Sequence, residues 1–289
     1  MESSLVVRYL VPVDGYRYEN ITGPELQLAV AQYEQALSEG FFQGLSFHSV
    51  IADDPAQNTA RTVAGQRETG YLVLYHLGVN CCPAGMEAEI IQSFVGPVPM
   101  IDQLEIANTP VFVFEQPESI DSRYVYQWID HGTIAYFDGA DREPLERWLN
   151  RYLPLPKLAE HETPELSAGL TVVPGFGYAN VEPSDAFAAL DELAWAAHSL
   201  VDADGVIGGL ILTQTDASTP LEQLLQRLQP DATFEETTSE IAGYPVRALS
   251  AGDETALIWT QDGISGAIIV ADLNRLDSAE HFLEQFLAP

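Results

Sequence analysis

Few residues in this chain have the types and spacing that a metal site or a catalytic site requires. The six histidines form none of the usual zinc patterns, neither a histidine pair on one helical turn nor histidines with spaced cysteines. His76 with Cys81 and Cys82 comes closest to a soft-metal site for copper or zinc. Adjacent cysteines point apart in an extended chain, so a buried or solvated turn is the alternative interpretation.

Asp202 and Asp204, in the sequence Asp-Ala-Asp-Gly, resemble the start of a calcium-binding loop. A complete loop needs further oxygen ligands and a bidentate glutamate. The chain instead enters the apolar run Val206 to Leu212. The pattern therefore predicts a turn, with weak binding of a divalent cation as the alternative.

Gly175-Phe176-Gly177 follows one predicted strand and precedes a predicted helix, as in a dinucleotide-binding loop. The third glycine position holds Asn180, and no basic residue lies nearby to meet a pyrophosphate. A nucleophile elbow and a phosphate-binding loop are absent from the sequence. We therefore predict no catalytic residue and no cofactor, although a carboxylate pair could be hidden among the many acidic residues.

Trp128 and Trp259 precede predicted hairpin turns, and His131 lies in the first of these turns. All three are candidates for lining a binding groove. The alternative for the tryptophans is cross-strand packing beneath a helix.

These tryptophans belong to a pattern that occurs twice. Each copy begins with Ile-Ala-x-x-Pro-Val, at Ile106 and at Ile241, continues through Trp-x-x-x-Gly, and closes with an amphipathic helix. The closing helices end near Leu153 and Leu287. The repetition predicts two tandem homologous modules.

Hydrophobic periodicity gives both modules the order β-α-β-α-β-β-β-β-α. This order predicts an α+β fold, in which a mostly antiparallel sheet is covered by amphipathic helices. The predicted strands are 5–11, 44–52, 71–77, 102–107, 110–116, 123–130 and 132–138 in the first module, and 171–173, 209–215, 233–242, 244–250, 255–261 and 264–271 in the second.

The first helix of each module is predicted from its cap and its apolar spacing. Thr22-Gly23-Pro24-Glu25 is typical of a capping box, and Gly40 ends that helix. The counterpart begins near Ser184, with Phe187, Leu190, Ala194 and Ala197 on its apolar face.

The predicted boundaries are 1–154 for the first module, 155–166 for a proline- and charge-rich linker, and 167–289 for the second module. From Val11 to Val173 the copies are 162 positions apart, but from Leu72 to Leu210 only 138. We assign the 24 additional residues of the first module to an insertion near 44–70, and place partner specificity there.

Charge excludes some classes of partner. The chain has 43 acidic and 12 basic residues, and its net charge of −31 is spread along both modules. Such a surface repels nucleic acid and anionic lipid. It is typical of halophilic adaptation, or of a protein that attracts a basic partner.

Cysteine usage and hydropathy bear on the compartment. Two adjacent cysteines cannot form a disulfide framework, so free thiols are expected and the cytoplasm is favoured. No segment has the pattern of a signal peptide; a signal removed beforehand would instead place the protein outside the cytoplasm. The apolar runs are shorter than the ~18 residues that span a bilayer.

The leading hypothesis is a non-enzymatic binding protein that presents an acidic surface and a groove between its modules to a protein partner. One alternative is a hydrolase-type enzyme with a carboxylate-based site in the cleft between the modules. Such a site would hold two close carboxylates, or a histidine with a carboxylate, in one module alone. The other alternative is a structural or assembly protein.

Overall fold

The structure used here is a computed structural model. It describes residues 8–21, 44–62, 65–77, 82–95, 98–159, 161–181, 185–190, 192–215 and 217–288, with the side chains of residues 94 and 95 excepted. The chain forms two compact units. Unit 1 comprises Met1–Gly78 and Met86–Lys157, and unit 2 comprises Val79–Gly85 and Leu158–Pro289.

Unit 1 is built on a seven-stranded antiparallel sheet. Its strands, together with the short β3–β4 ladder, are β1 (Tyr16–Asn20), β2 (Gly44–Ala52), β3 (Ala60–Arg61), β4 (Arg67–Glu68), β5 (Gly70–His76), β6 (Met100–Ile106), β7 (Thr109–Glu115), β8 (Tyr124–Asp130) and β9 (Thr133–Gly139). The order across the sheet is β1-β2-β5-β9-β8-β7-β6. Strand β6 therefore lies at one edge.

Two helices cover the two faces of this sheet. Helix α1 (Glu87–Val95) contacts β7 and β8, and helix α2 (Arg142–Tyr152) contacts β9. The α2 face buries Trp148, Leu149 and Tyr152 completely, because apolar residues recur on it at helical spacing.

Unit 2 repeats this sheet with the same strand order. Its strands are β10 (Gly177–Asn180), β11 (Trp195–Asp202), β12 (Gly205–Thr213), β13 (Glu235–Ile241), β14 (Tyr244–Ala251), β15 (Glu254–Gln261) and β16 (Ile264–Val270). Across the sheet they follow β10-β11-β12-β16-β15-β14-β13. When the β3–β4 ladder is left aside, each sheet places its seven strands in the sequential order 1-2-3-7-6-5-4.

The described residues of unit 2 include the helices α3 (Pro164–Gly169), α4 (Thr219–Leu228) and α5 (Leu276–Phe286). Helix α5 occupies the place that α2 has in unit 1, and it buries Phe282 and Leu283 against the sheet. A short 3-10 helix, Asp185–Leu190, contacts α4 over the opposite face.

Tight turns set the register of the last strands in both units. His131 and Gly132 turn the chain between β8 and β9, and Asp262 and Gly263 do so between β15 and β16, all with positive φ. A two-residue loop in which both residues have positive φ has a backbone twist that matches the right-handed twist of the two strands it joins. The Ile-Ala-x-x-Pro-Val hairpins turn in the same way at Ala107-Asn108 and Ala242-Gly243.

The α+β class and the antiparallel sheets agree with the sequence prediction. All eight strands of the two meanders, β6 to β9 and β13 to β16, lie within two residues of their predicted bounds.

The predicted helix beginning near Ser184 is wrong beyond Leu190. Residues 195–202 form strand β11, which contains Ala197 and lies next to β12. The strand is buried on both faces, so its sequence lacks the alternation that identifies a half-exposed strand. Each sheet therefore has one strand more than the predicted order allowed.

The predicted insertion in unit 1 also needs correction. Strand β2 pairs with β1 as β11 pairs with β10, so residues 44–52 belong to the common sheet. The additional residues between the second and third sheet strands of unit 1 are 53–69, which include the β3–β4 ladder.

Two predicted strands differ from the structure over their described residues. Residues 8–11 and 171–173 form turns or irregular backbone. The first strand of each sheet begins after them, at Tyr16 and at Gly177. The helix predicted over 22–40 lies outside the described residues, as do residues 5–7.

The stretch predicted as an exposed linker is partly buried. Lys157 and Glu162 are each 9% exposed, and Leu166 in α3 is fully buried. The unit boundary falls between Lys157 and Leu158. In the described parts of the chain, every helix is too short or too polar to cross a bilayer.

Candidate functional site

The two tryptophans predicted at a groove lie inside the cores of their units. Trp128 is 1% and Trp259 is 2% exposed. The Trp128 ring lies 5.9 Å from that of Tyr152 in α2, and the Trp259 ring lies 5.9 Å from that of Phe286 in α5. Their surroundings are those of packing residues beneath the closing helix, and neither indole is open to a ligand.

His131 lies at the β8–β9 turn and pairs with Asp130. Burial acts to raise the pKa of Asp130, but the charges of His131, Lys157 and Arg8 outweigh it and hold that pKa at about 2. The Lys157 ammonium donates to the carbonyl of Leu153 at 2.8 Å, at the end of α2. The cluster therefore fastens the end of α2 to the β8–β9 turn.

Asp202 and Asp204 lie at the β11–β12 turn, where the positively charged side chain of Arg275 is close to both carboxylates. Arg275 pairs with Asp202, and the Asp204 amide donates to the Asp202 carboxylate at 2.9 Å. The guanidinium occupies the side of Asp202 that a calcium ion would need.

Two of the three residues of the suggested soft-metal site, His76 and Cys82, are described, and they belong to different units. His76 is fully buried in unit 1, where its Nδ1 lies 3.4 Å from the Thr133 hydroxyl. Cys82 belongs to unit 2 and is disulfide-bonded, contrary to the expectation of free thiols. A disulfide sulfur has no thiolate to offer a metal. Cys81 lies outside the described residues.

Among the described side chains, no group of three or more histidine, cysteine, aspartate or glutamate residues is placed to hold a metal ion.

A motif that sequence reasoning missed begins the sheet of each unit. Residues 13–20 (VDGYRYEN) and 173–180 (VPGFGYAN) share valine, glycine, an aromatic residue, tyrosine and asparagine at the same spacing. Tyr18 donates to the Val11 carbonyl at 2.9 Å, and Tyr178 donates to the Thr171 carbonyl at 2.7 Å. The repeated spacing could have identified this motif, but its few shared residues are separated by positions that differ between the two units.

A buried histidine lies opposite the asparagine of each motif. Asn20 pairs in register with His48, and Asn180 with His198. The histidines are 0% and 1% exposed. In unit 1, the Nδ1 of His48 lies 2.8 Å from the Asn20 side-chain oxygen, which makes His48 the donor.

In unit 2 the buried histidine also meets a carboxylate. His198 Nε2 lies 3.5 Å from Glu162 Oε1, and both side chains are almost inaccessible. Glu162 accepts a hydrogen bond of 3.1 Å from the Ala159 amide, and the Trp195 amide donates to the His161 carbonyl at 2.9 Å. The contacts with His198 and Trp195 fasten His161 and Glu162 to strand β11. A histidine–carboxylate pair can transfer protons, but here it is closed to substrate.

Unit 1 has a set of buried and half-buried polar side chains that unit 2 lacks. The set comprises Tyr71, Gln127, Tyr136 and Asp138, and the strand registers place Gly209, Ile258, Ala267 and Ile269 at the same positions of unit 2. Asp138 Oδ2 accepts a hydrogen bond of 3.1 Å from the Tyr136 hydroxyl. Asp138 Oδ1 and Gln127 Oε1 accept none, although both are buried.

Burial raises the pKa of Asp138 to about 7, and the Ser122 and Tyr136 hydroxyls and the Tyr71 amide lower it only in part. The carboxyl is therefore close to half-protonated at neutral pH.

An open depression lies at the start of β6 and the end of β7 in unit 1. Its volume is about 650 Å³, and it is lined by Val98, Pro99 and residues 115–119. Met100 and Ile101 on β6 are 46% and 43% exposed, and Ile120 in the β7–β8 loop is 84% exposed. We refer to Val98–Ile101 and Glu115–Ile120 together as the β6–β7 rim. It combines an accessible hollow with exposed apolar side chains.

In comparisons with known proteins, no protein-family model and no curated protein matches this chain.

Proposed function

We propose that this chain is a non-enzymatic protein-binding protein, built from two duplicated α+β modules, whose acidic surface receives a basic partner protein. The observation that carries the proposal is edge strand β13. All six residues from Glu235 to Glu240 are exposed, and three of them are glutamates. Together with the net charge of −31, this acidic edge gives a negative potential that attracts and orients a basic surface.

Duplication is supported by agreement at several levels. Both sheets have the same strand order, both begin with the same tyrosine–asparagine motif, and both place a histidine opposite the asparagine. Equivalent tyrosines also pack edge-on against the closing helix, Tyr18 at 6.4 Å from Trp148 and Tyr178 at 6.1 Å from Phe282. Independent origins would not require the side-chain contacts to agree as well as the topology.

A hydrolase is the second candidate, and the Glu162–His198 pair is the observation that favours it, because it occurs in unit 2 alone among the described residues. Binding is preferred because both side chains are closed to solvent. The open depression in unit 1 is lined by no histidine.

The binding proposal predicts the charge of whatever the protein retains. The full chain, immobilised and exposed to a lysate of its source, should retain mainly basic proteins at ~0.15 M salt. It should release them by ~1 M salt, since the Debye length falls from about 8 Å to about 3 Å. Identification of the eluted proteins by mass spectrometry gives their isoelectric points.

A charge-reversed variant provides the control. The substitutions Glu235→Lys, Glu236→Lys and Glu240→Lys should reduce retention several-fold, whereas Glu87→Lys with Glu89→Lys on α1 should have less effect per charge. Retained proteins with the same charge distribution as the lysate would contradict the proposal.

A further inference from the structure

Besides residues 53–69, the two units differ at another connection that the common sheet does not require. In unit 2, strands β14 and β15 are joined by the two-residue turn 252–253, and Ala251 pairs directly with Glu254. In unit 1, the corresponding strands β7 and β8 are joined by residues 116–123. Because the sheet closes without the longer loop in unit 2, the loop of unit 1 is available for a role other than folding.

That loop lies beside an exposed apolar edge. Met100 and Ile101 begin β6, the edge strand of the sheet, and Ile120 projects from the loop. In unit 2 the corresponding edge strand β13 begins instead with Glu235 and Glu236. Exposed apolar side chains gathered at one place are typical of a protein-binding surface.

The geometry of this edge suits an extended peptide. β6 has no strand partner on its outer side among the described residues, so its backbone can pair with an added strand. The pairing of β6 with β7 is irregular between Met100 and Asp102 and continuous from Asp102 to Ile106, so an added strand would pair with the regular part of β6. The adjacent hollow of about 650 Å³ falls within the range of ~300–1,000 Å³ common for ligand pockets.

The charges around the rim favour a peptide with positively charged side chains. Glu115 is paired with Arg123 at 2.7 Å. The neighbouring Glu118 and Asp121 are exposed, in a chain whose net charge is −31. A bound segment would therefore place basic side chains toward the loop and an apolar side chain in the hollow.

We propose that the β6–β7 rim of unit 1 is the docking surface for an extended basic and apolar segment of a partner protein, which adds as a strand beside β6. This inference rests on the proposed function: the acidic edge strand β13 attracts the basic partner electrostatically, and the β6–β7 rim binds one segment of that partner.

The test is selection of peptides on the full chain. A phage-displayed library of random twelve-residue peptides is panned on the wild-type protein at ~0.15 M salt, and the enriched peptides are sequenced and synthesised. We expect peptides that combine basic and apolar residues, with affinity reduced at least tenfold by Ile101→Asp together with Ile120→Asp.

A matched variant separates the rim from exposed apolar residues in general. Val172→Asp with Leu273→Asp changes two exposed apolar residues of unit 2 to the same charge, and should leave the affinity within twofold. Circular dichroism of each variant verifies that it is folded. If the rim variant does not fold, Glu118→Lys with Asp121→Lys provides the same comparison by charge.

The outcomes distinguish this inference from the proposed function. Basic peptides that bind the rim variants as well as wild type would overturn the docking surface and leave a basic partner in place. Enriched peptides without basic residues, or no enrichment, would overturn both.

Discussion

At the scale of single residues, the two units share their packing side chains and one buried histidine, and they differ in the polar side chains around Asp138. Trp128 and Trp259 contact equivalent closing helices, and His48 and His198 face equivalent asparagines. Asp138 has no such counterpart, because the register places Ile269 at its position. A buried carboxyl with one unpaired oxygen costs stability whenever it is charged.

Asp138 should therefore make unfolding of unit 1 dependent on pH. Its folded pKa of about 7 lies above the ordinary value, so the folded state holds the proton more tightly. The stabilisation is fully present below about pH 4 and is lost as pH rises through 7. Asp138→Asn stays neutral and should be more stable than wild type at pH 8, by on the order of 4 kcal/mol, but not at pH 4.

Urea unfolding of wild type and variant between pH 4 and pH 8 measures this difference. Asp121→Asn, at an exposed carboxyl, is the control and should follow wild type closely. A constant difference between Asp138→Asn and wild type across this range would show that the buried carboxyl does not titrate there.

Sequence reasoning identified the tryptophans but missed the buried histidine–asparagine pairs. The tryptophans stand in local repeats that can be read directly. Asn20 and His48 are 28 residues apart, and their contact depends on the register of β1 with β2. That register is set by the whole sheet, so neither residue alone indicates the pair.

At the scale of elements, local patterns were sufficient where tight turns bound a strand. The turns between the meander strands carry asparagine, aspartate or glycine, and these turns mark the strand ends even where a strand is buried on both faces, as in β9 and β15. Strand β11 was mistaken for helix because it is buried on both faces, and apolar residues at 187, 190, 194 and 197 imitate helical spacing. The β6–β7 rim was missed because the length of the β7–β8 loop does not show what its exposed residues contact.

In the β15–β16 hairpin, a glycine on one strand leaves space for the indole of Trp259 on the other. Gly266 lies directly opposite Trp259, and a Cβ at Gly266 would approach the ring to 2.2 Å. In unit 1 the equivalent position opposite Trp128 is Ala135, where the ring accommodates the methyl group.

Gly266→Ala should therefore destabilise unit 2 by about 2 kcal/mol, because the indole must move within a closed core. Gly209→Ala is the matched control. No heavy atom lies within 4 Å of the added Cβ there, so we expect a change of about 0.5 kcal/mol or less. Thermal and urea unfolding measure both, and equal effects would contradict the close packing of Trp259.

At the scale of the whole molecule, composition supports the proposed class of partner, a basic protein, but does not locate a docking surface. The excess of acidic residues is distributed over the whole sequence and disfavours nucleic acid as a partner. The α+β class followed from periodicity. The equivalence of the sheets emerged only from strand order, since the copies share few residues outside their turns and helix faces.

The most direct measurement of the binding account is hydrogen–deuterium exchange of the full chain with and without a peptide selected on it. The account predicts slower exchange in unit 1 over residues 98–104 and 115–121, because an added strand protects β6 and contacts the loop. Protection confined to β13 or to other segments, with residues 98–104 exchanging as in the free chain, would contradict it.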